Sequence, residues 1–495
     1  MAISSLSWGN LLALAIVSLI LYTLSYAIYN LYFHPLARFP GPLLMRATKA
    51  GFCYPLIKGT LPFDVLGLHK KYGPVVRIAP DQLIFGDPQA WKDVMGHRVG
   101  GGPELEKSLK FYKPLEEIPV DIVNASREEH GQLRRTMAHG FSDRSMREQQ
   151  PIIKGYIDLL IRRLRQNCGD GNKKLNINAW YNFTTFDIIG DLAFGESFGC
   201  LDNSDYHPWV RAIFQLARVG TVMQSAAQYP ALMKLILTLI PKKAMQERKH
   251  HIDLTKAKLQ RRMEVGKERP DLVEGLLRKK DELGLTLDKL QANSAILIIG
   301  GSETTATLLS GVTFLLLTNP DALAKLKSEI RSSFKSQHEI DFASVSALPY
   351  LLACLDEALR MYPPVPSGLP RVVPQGGASI CGNFVPENTV VSIYHWAMYH
   401  NEEHFKNPFG YHPERWLNDP EFAGDHKDAF QPFHLGARNC LGRNLAYIEM
   451  RLILTRILWN FDMRVADDSL DWMSKQRIYN LWKKGPLNVY LTPRQ

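Results

Sequence analysis

The longest uninterrupted hydrophobic pattern lies at the amino terminus, where Leu11 through Tyr29 form a run of mainly apolar residues. Residues 1 to 37 contain no Asp, Glu, Lys or Arg. About 20 such residues cross the hydrocarbon core of a bilayer as a helix, so the run predicts a transmembrane helix. A cleavable signal peptide is the alternative, but no basic segment precedes the run, and the run is long for that role. Tyrosines near its end favour an interfacial position, namely Tyr22, Tyr26, Tyr29 and Tyr32.

Basic residues follow the predicted span and do not precede it, the first being Arg38, Arg46, Lys49 and Lys58. Because basic residues favour the cytosolic side of a membrane, this asymmetry predicts a globular body in the cytosol. No linker, low-complexity tract or short repeat divides the rest of the chain. The sequence therefore predicts a membrane anchor over residues 1–33 and one large domain over residues 34–495.

A second long apolar pattern runs from Leu285 to Leu317, ends before Asn319-Pro320 and predicts a buried helix. It contains Gly300-Gly301, and a glycine inside a helix costs about 1 kcal/mol relative to alanine. The two glycines therefore need a physical reason. They permit close helix packing, or they open room beside a ligand, and the pattern alone leaves both interpretations open.

Composition narrows the class of protein. The chain has 495 residues, of which 45% are hydrophobic, and a formal net charge of +10. The charge suits a solvated basic surface, an anionic lipid or an acidic protein partner. Nucleic acid is excluded as a partner, because no interleaved aromatic and basic platform accompanies the charge. Six cysteines lie far apart without a Cys-x-x-Cys pair, which favours a reducing compartment.

The strongest chemical signal is the segment 433–442, which reads FHLGARNCLG and precedes a helical pattern from Arg443 onward. Cys440 then lies at the start of a helix. Amides of the first turn can donate to its sulfur and the helix dipole favours negative charge, so a thiolate can persist. Gly436 and Gly442 let the backbone turn tightly and approach a flat cofactor. An isolated cysteine is more often a small core residue, so its neighbours decide the interpretation.

The spacing Phe-x-x-Gly-x-Arg-x-Cys-x-Gly resembles the haem-binding signature of the cytochrome P-450 family. Leu435 departs from it, since many members have a small polar residue there. The resemblance implies a mainly α fold with a smaller β region, in which haem lies between a long distal helix and a proximal cysteine loop and helix. It implies that Cys440 is the axial ligand of haem b iron, that Arg438 pairs with a propionate and that Phe433 packs near the sulfur. Residues 34–495 would then be a haem-thiolate catalytic domain.

The segment 300–305, GGSETT, resembles the oxygen-activation motif of the same family. The resemblance implies that Gly300 and Gly301 lie beside the cofactor. It implies that Glu303 and Thr304 are catalytic and pass protons to bound oxygen.

Further propionate partners are implied on a second helix. His130-Gly-Gln-Leu-Arg134 places two donors on one helical face, for which a surface pair is the plainer interpretation. Many family members have Trp-x-x-x-Arg here, and His130 replaces the tryptophan but keeps a ring nitrogen that can donate. Arg371, in Leu-Pro-Arg-Val, is one more candidate.

A structural role is implied for three charged residues. Glu357-Ala-Leu-Arg360 and the later Pro-Glu-Arg415-Trp occur in the order in which the family places a buried Glu-Arg-Arg cluster. A buried charge must be compensated, so we assign Glu357, Arg360 and Arg415 to folding and haem incorporation and not to catalysis.

The stretches 32–42 and 191–198 look like those of filamentous-fungal members that modify secondary metabolites. The resemblance implies a monooxygenase that hydroxylates, epoxidises or desaturates an apolar small molecule with O2. Electrons would come from NADPH through a membrane-bound cytochrome reductase, and a small haem protein is a second candidate donor. The implied location is the endoplasmic reticulum membrane, with the catalytic domain in the cytosol and in contact with lipid.

Two rival functions remain at this point, a haem-thiolate isomerase or dehydratase that needs no external electrons, and a non-catalytic haem-binding membrane protein. The substrate is not encoded in these motifs, because we expect its pocket in variable loops around 100–125 and 210–240. The apolar segment Tyr229–Pro241 predicts either a second membrane contact or an ordinary buried helix.

Overall fold

The fold is known from a computed structural model, which describes residues 8–97, 104–115, 117–239, 242–266 and 269–494. Parts of three predictions lie outside the described residues. These are the first seven residues of the anchor, a portion of the loop at 100–125, and Ile240-Pro241 at the end of the apolar segment.

The amino-terminal helix α1 spans Trp8–Ile28 and continues as a π-helical turn over Tyr29–Phe33. It is long and apolar enough to cross a membrane, and none of its most apolar window is buried against the protein. Asn30, within the π turn, fixes the end of this helix to the body. Its side-chain amide donates to the Ala47 carbonyl at 2.9 Å, and its own carbonyl accepts from Arg77 at 2.7 Å.

Helices make up most of the body. In chain order they are α2 Leu43–Ala47, α3 Ala50–Lys58, α4 Leu61–Tyr72, α5 Leu109–Tyr112, α6 Arg127–Ala138, α7 Asp143–Asn167, α8 Ile177–Phe194, α9 Cys200–Asn203, α10 Pro208–Ala226, α11 Pro230–Leu239, α12 Lys242–Glu264, α13 Glu274–Arg278, α14 Leu287–Thr318, α15 Pro320–Ser333, α16 Phe342–Ser346, α17 Pro349–Met361, α18 His395–Tyr399 and α19 Arg443–Asn460.

The strands are short. They are β1 Val75–Ala79, β2 Gln82–Phe85, β3 Glu106–Lys107, β4 Lys174–Asn176, β5 Arg371–Val372, β6 Ala378–Ile380, β7 Asn383–Val385, β8 Val390–Ser392, β9 Phe461–Val465, β10 Arg477–Tyr479, β11 Leu481–Lys483 and β12 Asn488–Pro493. One sheet has the order β1-β2-β8-β5-β3, and another has the order β4-β12-β9. In the first sheet β2 and β8 are parallel, and Arg371 of β5 is paired with both Val391 and Lys107.

The predicted long buried helix is α14, and it lies at the centre of the molecule. Its Thr286 side chain accepts from the Lys289 N–H, which caps the first turn. Although α14 is also apolar enough to cross a membrane, 61% of its most apolar window is buried within the protein. Its main partner is α8, and a side chain at Gly301 would meet Ile189 of α8 at 2.7 Å. The long apolar pattern therefore reflects a core helix.

The structure brings together the charged residues assigned to folding. Arg360 donates to both carboxylate oxygens of Glu357, at 2.8 and 3.0 Å, and Arg415 lies 3.3 Å from the same carboxylate. The side chains of all three residues are completely buried. This cluster joins α17 to the 3-10 turn Pro413–Leu417, in the segment that leads to the cysteine loop.

Candidate active site

Cys440 differs in its surroundings from the other cysteines that the structure describes. It is exposed, Cys381 is partly buried, and the remaining four are buried. Cys440 lies between the 3-10 turn Gly436–Arg438 and the first residue of α19, Arg443. Its N–H donates to the Phe433 carbonyl at 2.9 Å, which closes the loop. The predicted position at the start of a helix is therefore observed.

Gly436 holds the tight bend of this loop. Its φ angle is +73°, in the region that favours glycine, and a side chain there would clash with the Met95 carbonyl. The residue is thus required both by the backbone conformation and by the close approach of another segment. At Gly442 a side chain would make ordinary contact with Phe141 at 3.7 Å, so the protein itself does not forbid one there.

The environment of the Cys440 sulfur combines opposing influences. Although the residue is accessible, it lies deep among protein atoms, and this burial raises the pKa of the thiol. The Gly442 N–H and the positive charges of Arg134 and Arg443 lower the pKa. Backbone donation and nearby cations are the means by which a protein stabilises a thiolate.

Two buried arginines meet one carboxylate near this loop. Arg438 donates to Glu104 at 2.6 Å and to the Ala125 carbonyl at 3.0 Å. The guanidinium of Arg371 lies 3.6 Å from the same Glu104 carboxylate. The side chains of Arg438 and Arg371 are only 3% and 6% exposed. Two cations share one acid, so the cluster retains positive charge that suits an additional anion.

The two glycines of α14 have different surroundings. Gly301 packs against α8, whereas no atom lies within 4 Å of a side chain placed at Gly300. The Thr304 hydroxyl donates to the Gly300 carbonyl at 2.6 Å and is partly exposed. The two interpretations of the glycine pair therefore both apply, one to each residue.

The comparisons with known proteins agree with this geometry. The family model for cytochrome P450 matches residues 51–489. The chain belongs to the cytochrome P450 family. It is an oxidoreductase, and its relatives are fungal monooxygenases of secondary metabolism.

Three relatives show how much of the chain is shared. A cytochrome P450 monooxygenase, tpeC, of Talaromyces stipitatus is 48% identical over 97% of this chain and 94% of its own length. The trichothecene C-15 hydroxylase of Fusarium sporotrichioides is 43% identical over 98% of each chain. The averantin hydroxylase of Dothistroma septosporum is 44% identical over 96% of this chain and 90% of its own length. The similarity therefore covers nearly the whole protein.

The residues present suit the haem that a cytochrome P450 carries. Cys440 offers an accessible sulfur, Gly300 leaves open space on α14, and the Arg438–Arg371 cluster has an excess of positive charge. A haem requires a ligand for its iron, room beside it and cationic partners for its propionates, and these residues could supply all three.

His130 and Lys107 lie close to the positive cluster, and its charges lower the pKa of both. His130 is buried, and burial followed by the charges of Arg438, Lys107 and Arg134 lowers its pKa to about 4. The ring is therefore neutral near pH 7 and offers a single N–H donor. Burial, with the charges of Arg371 and Arg438, lowers the pKa of Lys107 to about 7. Sequence reasoning missed Lys107, because it lies in a variable loop and only sheet pairing places it beside Arg371.

Arg134, which we predicted to contact a propionate, has Asn439 as its partner within the protein. Both terminal nitrogens of its guanidinium donate to Asn439, one of them to the backbone carbonyl at 2.7 Å and the other to the side-chain oxygen. Arg134 thus fastens α6 to the residue next to Cys440. This bidentate fork uses both terminal nitrogens and leaves the Nε atom for another acceptor, so the contact with a propionate stays a prediction.

Glu303 and Thr304 are neighbours in sequence but have different partners. Glu303 is buried and forms an ion pair with Lys484 at 2.5 Å, whereas Thr304 bonds to the backbone of its own helix. Successive residues of a helix point about 100° apart, so the two side chains do not share one face. Lys484 was not predicted, since it lies 181 residues away in a short turn without a motif.

Proposed function

We propose that this cytochrome P450 inserts one atom of dioxygen into an apolar small molecule, an intermediate of fungal secondary metabolism, and reduces the other atom to water. Cys440 carries this proposal, because it is the exposed cysteine of the described chain and lies at the start of α19. The names of the trichothecene and averantin hydroxylases support hydroxylation as the reaction. Epoxidation is a variant of the same insertion, whereas desaturation removes two hydrogen atoms from the substrate and reduces both oxygen atoms to water.

Bound haem supplies the activation of dioxygen through its iron. Cys440 holds the iron through its sulfur, and Phe433 fixes the loop by accepting from the Cys440 N–H. Arg438, Arg371 and His130 bind and orient the propionates. Arg134 acts on the same site through Asn439.

Protons must reach the oxygen atom that is reduced to water. The Thr304 hydroxyl lies beside the open space at Gly300, where it can hold a proton or a water molecule. Glu303, the residue before Thr304 on α14, is the acid that can supply protons to it. An intact acid and hydroxyl favour oxygen activation over an isomerase or a dehydratase, which needs no proton supply of this kind.

The electrons come from NADPH through a membrane-bound cytochrome reductase, with a small haem protein as a second donor. The anchor α1 holds the enzyme on the endoplasmic reticulum membrane, and the basic residues after it favour a cytosolic catalytic domain over residues 34–495. The enzyme and its electron donor then meet on the same membrane surface.

A small cavity of about 40 Å³, between α3, α10 and the hairpin of β10 and β11, marks one edge of the region in which we expect an apolar substrate. Its walls combine apolar side chains with a few amides and hydroxyls. They include Phe52, Leu56, Leu61, Ser108, Phe111, Gln224, Gln228, Tyr394 and Ile478. Residues 108–111 and 224–228 fall within the segments 100–125 and 210–240, which we expected to shape the substrate site as loops. The second prediction of a loop is wrong, because α10 and α11 occupy most of that segment. The wall also contains Lys110, so it combines apolar side chains with polar and charged groups. Such a combination can fix the orientation of a small molecule.

Helix α11 extends the membrane contact. Within the part of it that the structure describes, only Met233 is buried, whereas Leu235 and Leu239 are exposed. Leu43 of α2 and Tyr54 of α3 are exposed as well. The side chain of Lys49, just before α3, donates to Gln228, just before α11, so the two apolar surfaces are linked. An ordinary buried helix is excluded by this exposure.

Membrane binding without the anchor tests this part of the proposal. A chain of residues 34–495 should float with phosphatidylcholine vesicles, and the double variant Leu235→Ser/Leu239→Ser should float less. Leu470→Ser, at another exposed leucine, is the control and should change nothing. A chain that stays in solution with vesicles would refute the second contact.

Oxygen incorporation tests the reaction itself. Holoenzyme is incubated with a cytochrome reductase, NADPH, 18O2 and a fungal culture extract as the source of substrate. It should consume dioxygen and form a product that carries one labelled oxygen atom. An isomerase or dehydratase would transform its substrate without NADPH. A non-catalytic haem protein would consume neither NADPH nor dioxygen.

A further inference from the structure

A hairpin at the substrate cavity leads directly to Glu303. Strands β10 and β11 form this hairpin, and Ile478 and Asn480 at its tip line the cavity described above. Lys484 is the first residue after β11. One short segment therefore connects the wall of the cavity with the acid on α14.

The Lys484 ammonium is buried between two residues of α14. It lies 2.5 Å from Oε1 of Glu303 and 2.5 Å from the Thr307 hydroxyl. The side chains of Lys484 and Glu303 are 4% and 5% exposed. Such an ion pair is costly to break on one side, since the remaining charge stays buried without compensation.

The backbone around Lys484 is fixed from both sides. The indole N–H of Trp482 donates to the Pro363 carbonyl at 2.7 Å. The Gly485 carbonyl accepts from Trp472 at 2.9 Å and from Asn178 of α8 at 3.5 Å. Lys484 is thus presented to α14 by a rigid turn, and its position does not depend on Glu303 alone.

The ion pair uses one half of the Glu303 carboxylate. Oε1 accepts from Lys484, whereas Oε2 is buried and has no hydrogen-bond partner in the described chain. A carboxylate held by one oxygen keeps the other in a defined place, where it can accept a proton from one water molecule and pass it to another. Without Lys484, the buried acid would lose both its orientation and the charge that balances it.

We propose that Lys484 is a positioning residue for proton delivery, which fixes the Glu303 carboxylate through Oε1 so that Oε2 serves as the proton-carrying atom. The inference rests on the proposed role of Glu303 in supplying protons. It adds a residue that no sequence motif indicates, and it assigns the two carboxylate oxygens different tasks.

The share of the electrons from NADPH that ends in hydrogen peroxide, and not in water, tests the inference. The measurement is hydrogen peroxide formed per NADPH oxidised by full-length holoenzyme with a cytochrome reductase and no added substrate. Lys484→Met should raise the peroxide share several-fold, because Glu303 would then deliver protons too slowly for dioxygen to be reduced to water. Lys484→Arg should restore most of the wild-type share. Lys483→Met, at the exposed neighbouring lysine, is the control and should match wild type.

Further measurements separate positioning from loss of structure. Each variant should keep the wild-type band of the reduced carbon monoxide complex and the wild-type Tm to within a few degrees. A folded Lys484→Met variant with an unchanged peroxide share would overturn the inference. If Lys484→Met does not fold, Lys484→Gln and Lys484→Arg are compared, and equal peroxide shares in these two and wild type would overturn it as well.

Glu303→Gln distinguishes this inference from the role on which it rests. If Glu303→Gln raises the peroxide share and Lys484→Met does not, Glu303 supplies protons without help from Lys484. If Glu303→Gln leaves the share unchanged, the role of Glu303 fails, and with it the inference. The double variant should have the same share as Glu303→Gln alone, since Lys484 acts through that carboxylate.

Discussion

Two of the buried acid-base clusters among the described residues, those of Glu357 and Glu303, differ in how fully their carboxylates are compensated. Oε1 of Glu357 accepts from Arg360 and the His412 N–H, and Oε2 accepts from Arg360 and Trp416. Glu303 has Lys484 and Thr307 on one oxygen and no partner on the other. A satisfied network makes the fold rigid, whereas a free acceptor in the interior is costly unless it is used. The comparison separates an acid that maintains structure from one that is available for chemistry.

The largest expected effect is on the satisfied cluster. Glu357→Gln leaves Arg360 buried without a counter-charge and Arg415 with Asp425 as its remaining acid. Breaking a buried ion pair costs about 3–5 kcal/mol. We expect little or no haem-loaded protein, measured as the ratio of haem to protein after purification. Glu414→Gln, which disrupts the surface pair with Lys325, should load haem normally. A fully loaded Glu357→Gln variant would show that the cluster is not structural.

Thr304→Ala should leave the fold intact and change the chemistry. The hydroxyl contacts only the Gly300 carbonyl in the described chain, so its loss opens no large cavity. We expect peroxide to account for several-fold more of the NADPH consumed and the Tm to change little. Thr318→Ala removes an equivalent bond to a helix carbonyl at the end of α14 and should behave like wild type. Equal coupling in the two variants would contradict the proton role of Thr304.

Arg134→Gln addresses the link between α6 and the cysteine loop. Loss of the fork to Asn439 loosens the residue next to Cys440 and removes a charge that lowers the thiol pKa. We expect faster loss of the thiolate-type band of the reduced carbon monoxide complex on warming. The exposed neighbour offers a matched variant, Arg135→Gln, which should decay at the wild-type rate. If the band of Arg134→Gln decays at the wild-type rate, Arg134 does not stabilise the cysteine loop, and contact with a propionate is its remaining role.

The smallest effect concerns a third buried acid, Glu449 of α19. Its Oε2 has no hydrogen-bond partner in the described chain, and burial raises its pKa from 4.5 to about 8. A raised folded pKa means that the folded state binds more protons than the unfolded state between these two values. Stability therefore falls as the pH rises from 4.5 through 8. Glu449→Gln should make the dependence of the unfolding free energy on pH flatter across this window, measured by denaturant titration at several pH values. An unchanged slope would mean that Glu449 is ionised through an interaction that lowers its pKa.

Much of this arrangement could be predicted from the sequence, because its parts are local. The anchor, the long helix α14 and the cysteine at the start of α19 each depend on a contiguous pattern. The observed limits Trp8–Ile28 and Leu287–Thr318 differ from the predicted ones by only a few residues. Helix periodicity and the Gly436 bend are properties of neighbouring residues, so a single sequence contains them.

The missing parts depend on contacts between distant segments. Lys484 meets Glu303 across 181 residues, and Lys107 meets Arg371 only through the pairing of β3 with β5. Arg134 was predicted on the correct helix, but its partner Asn439 lies 305 residues away. The i, i+4 spacing places His130 and Arg134 on one helix face but does not indicate which groups lie opposite them. The different surroundings of Gly300 and Gly301 also depend on a distant segment. Only the position of α8 shows that Gly301 serves helix packing.

The most direct test of the account is the spectrum of the reduced carbon monoxide complex, recorded for wild type, Cys440→Ser and Cys381→Ser. Thiolate ligation predicts a strongly red-shifted Soret band in wild type and in Cys381→Ser, and its loss in Cys440→Ser. A wild-type protein without that band, or a Cys440→Ser variant that keeps it, would contradict the assignment of Cys440 as the iron ligand.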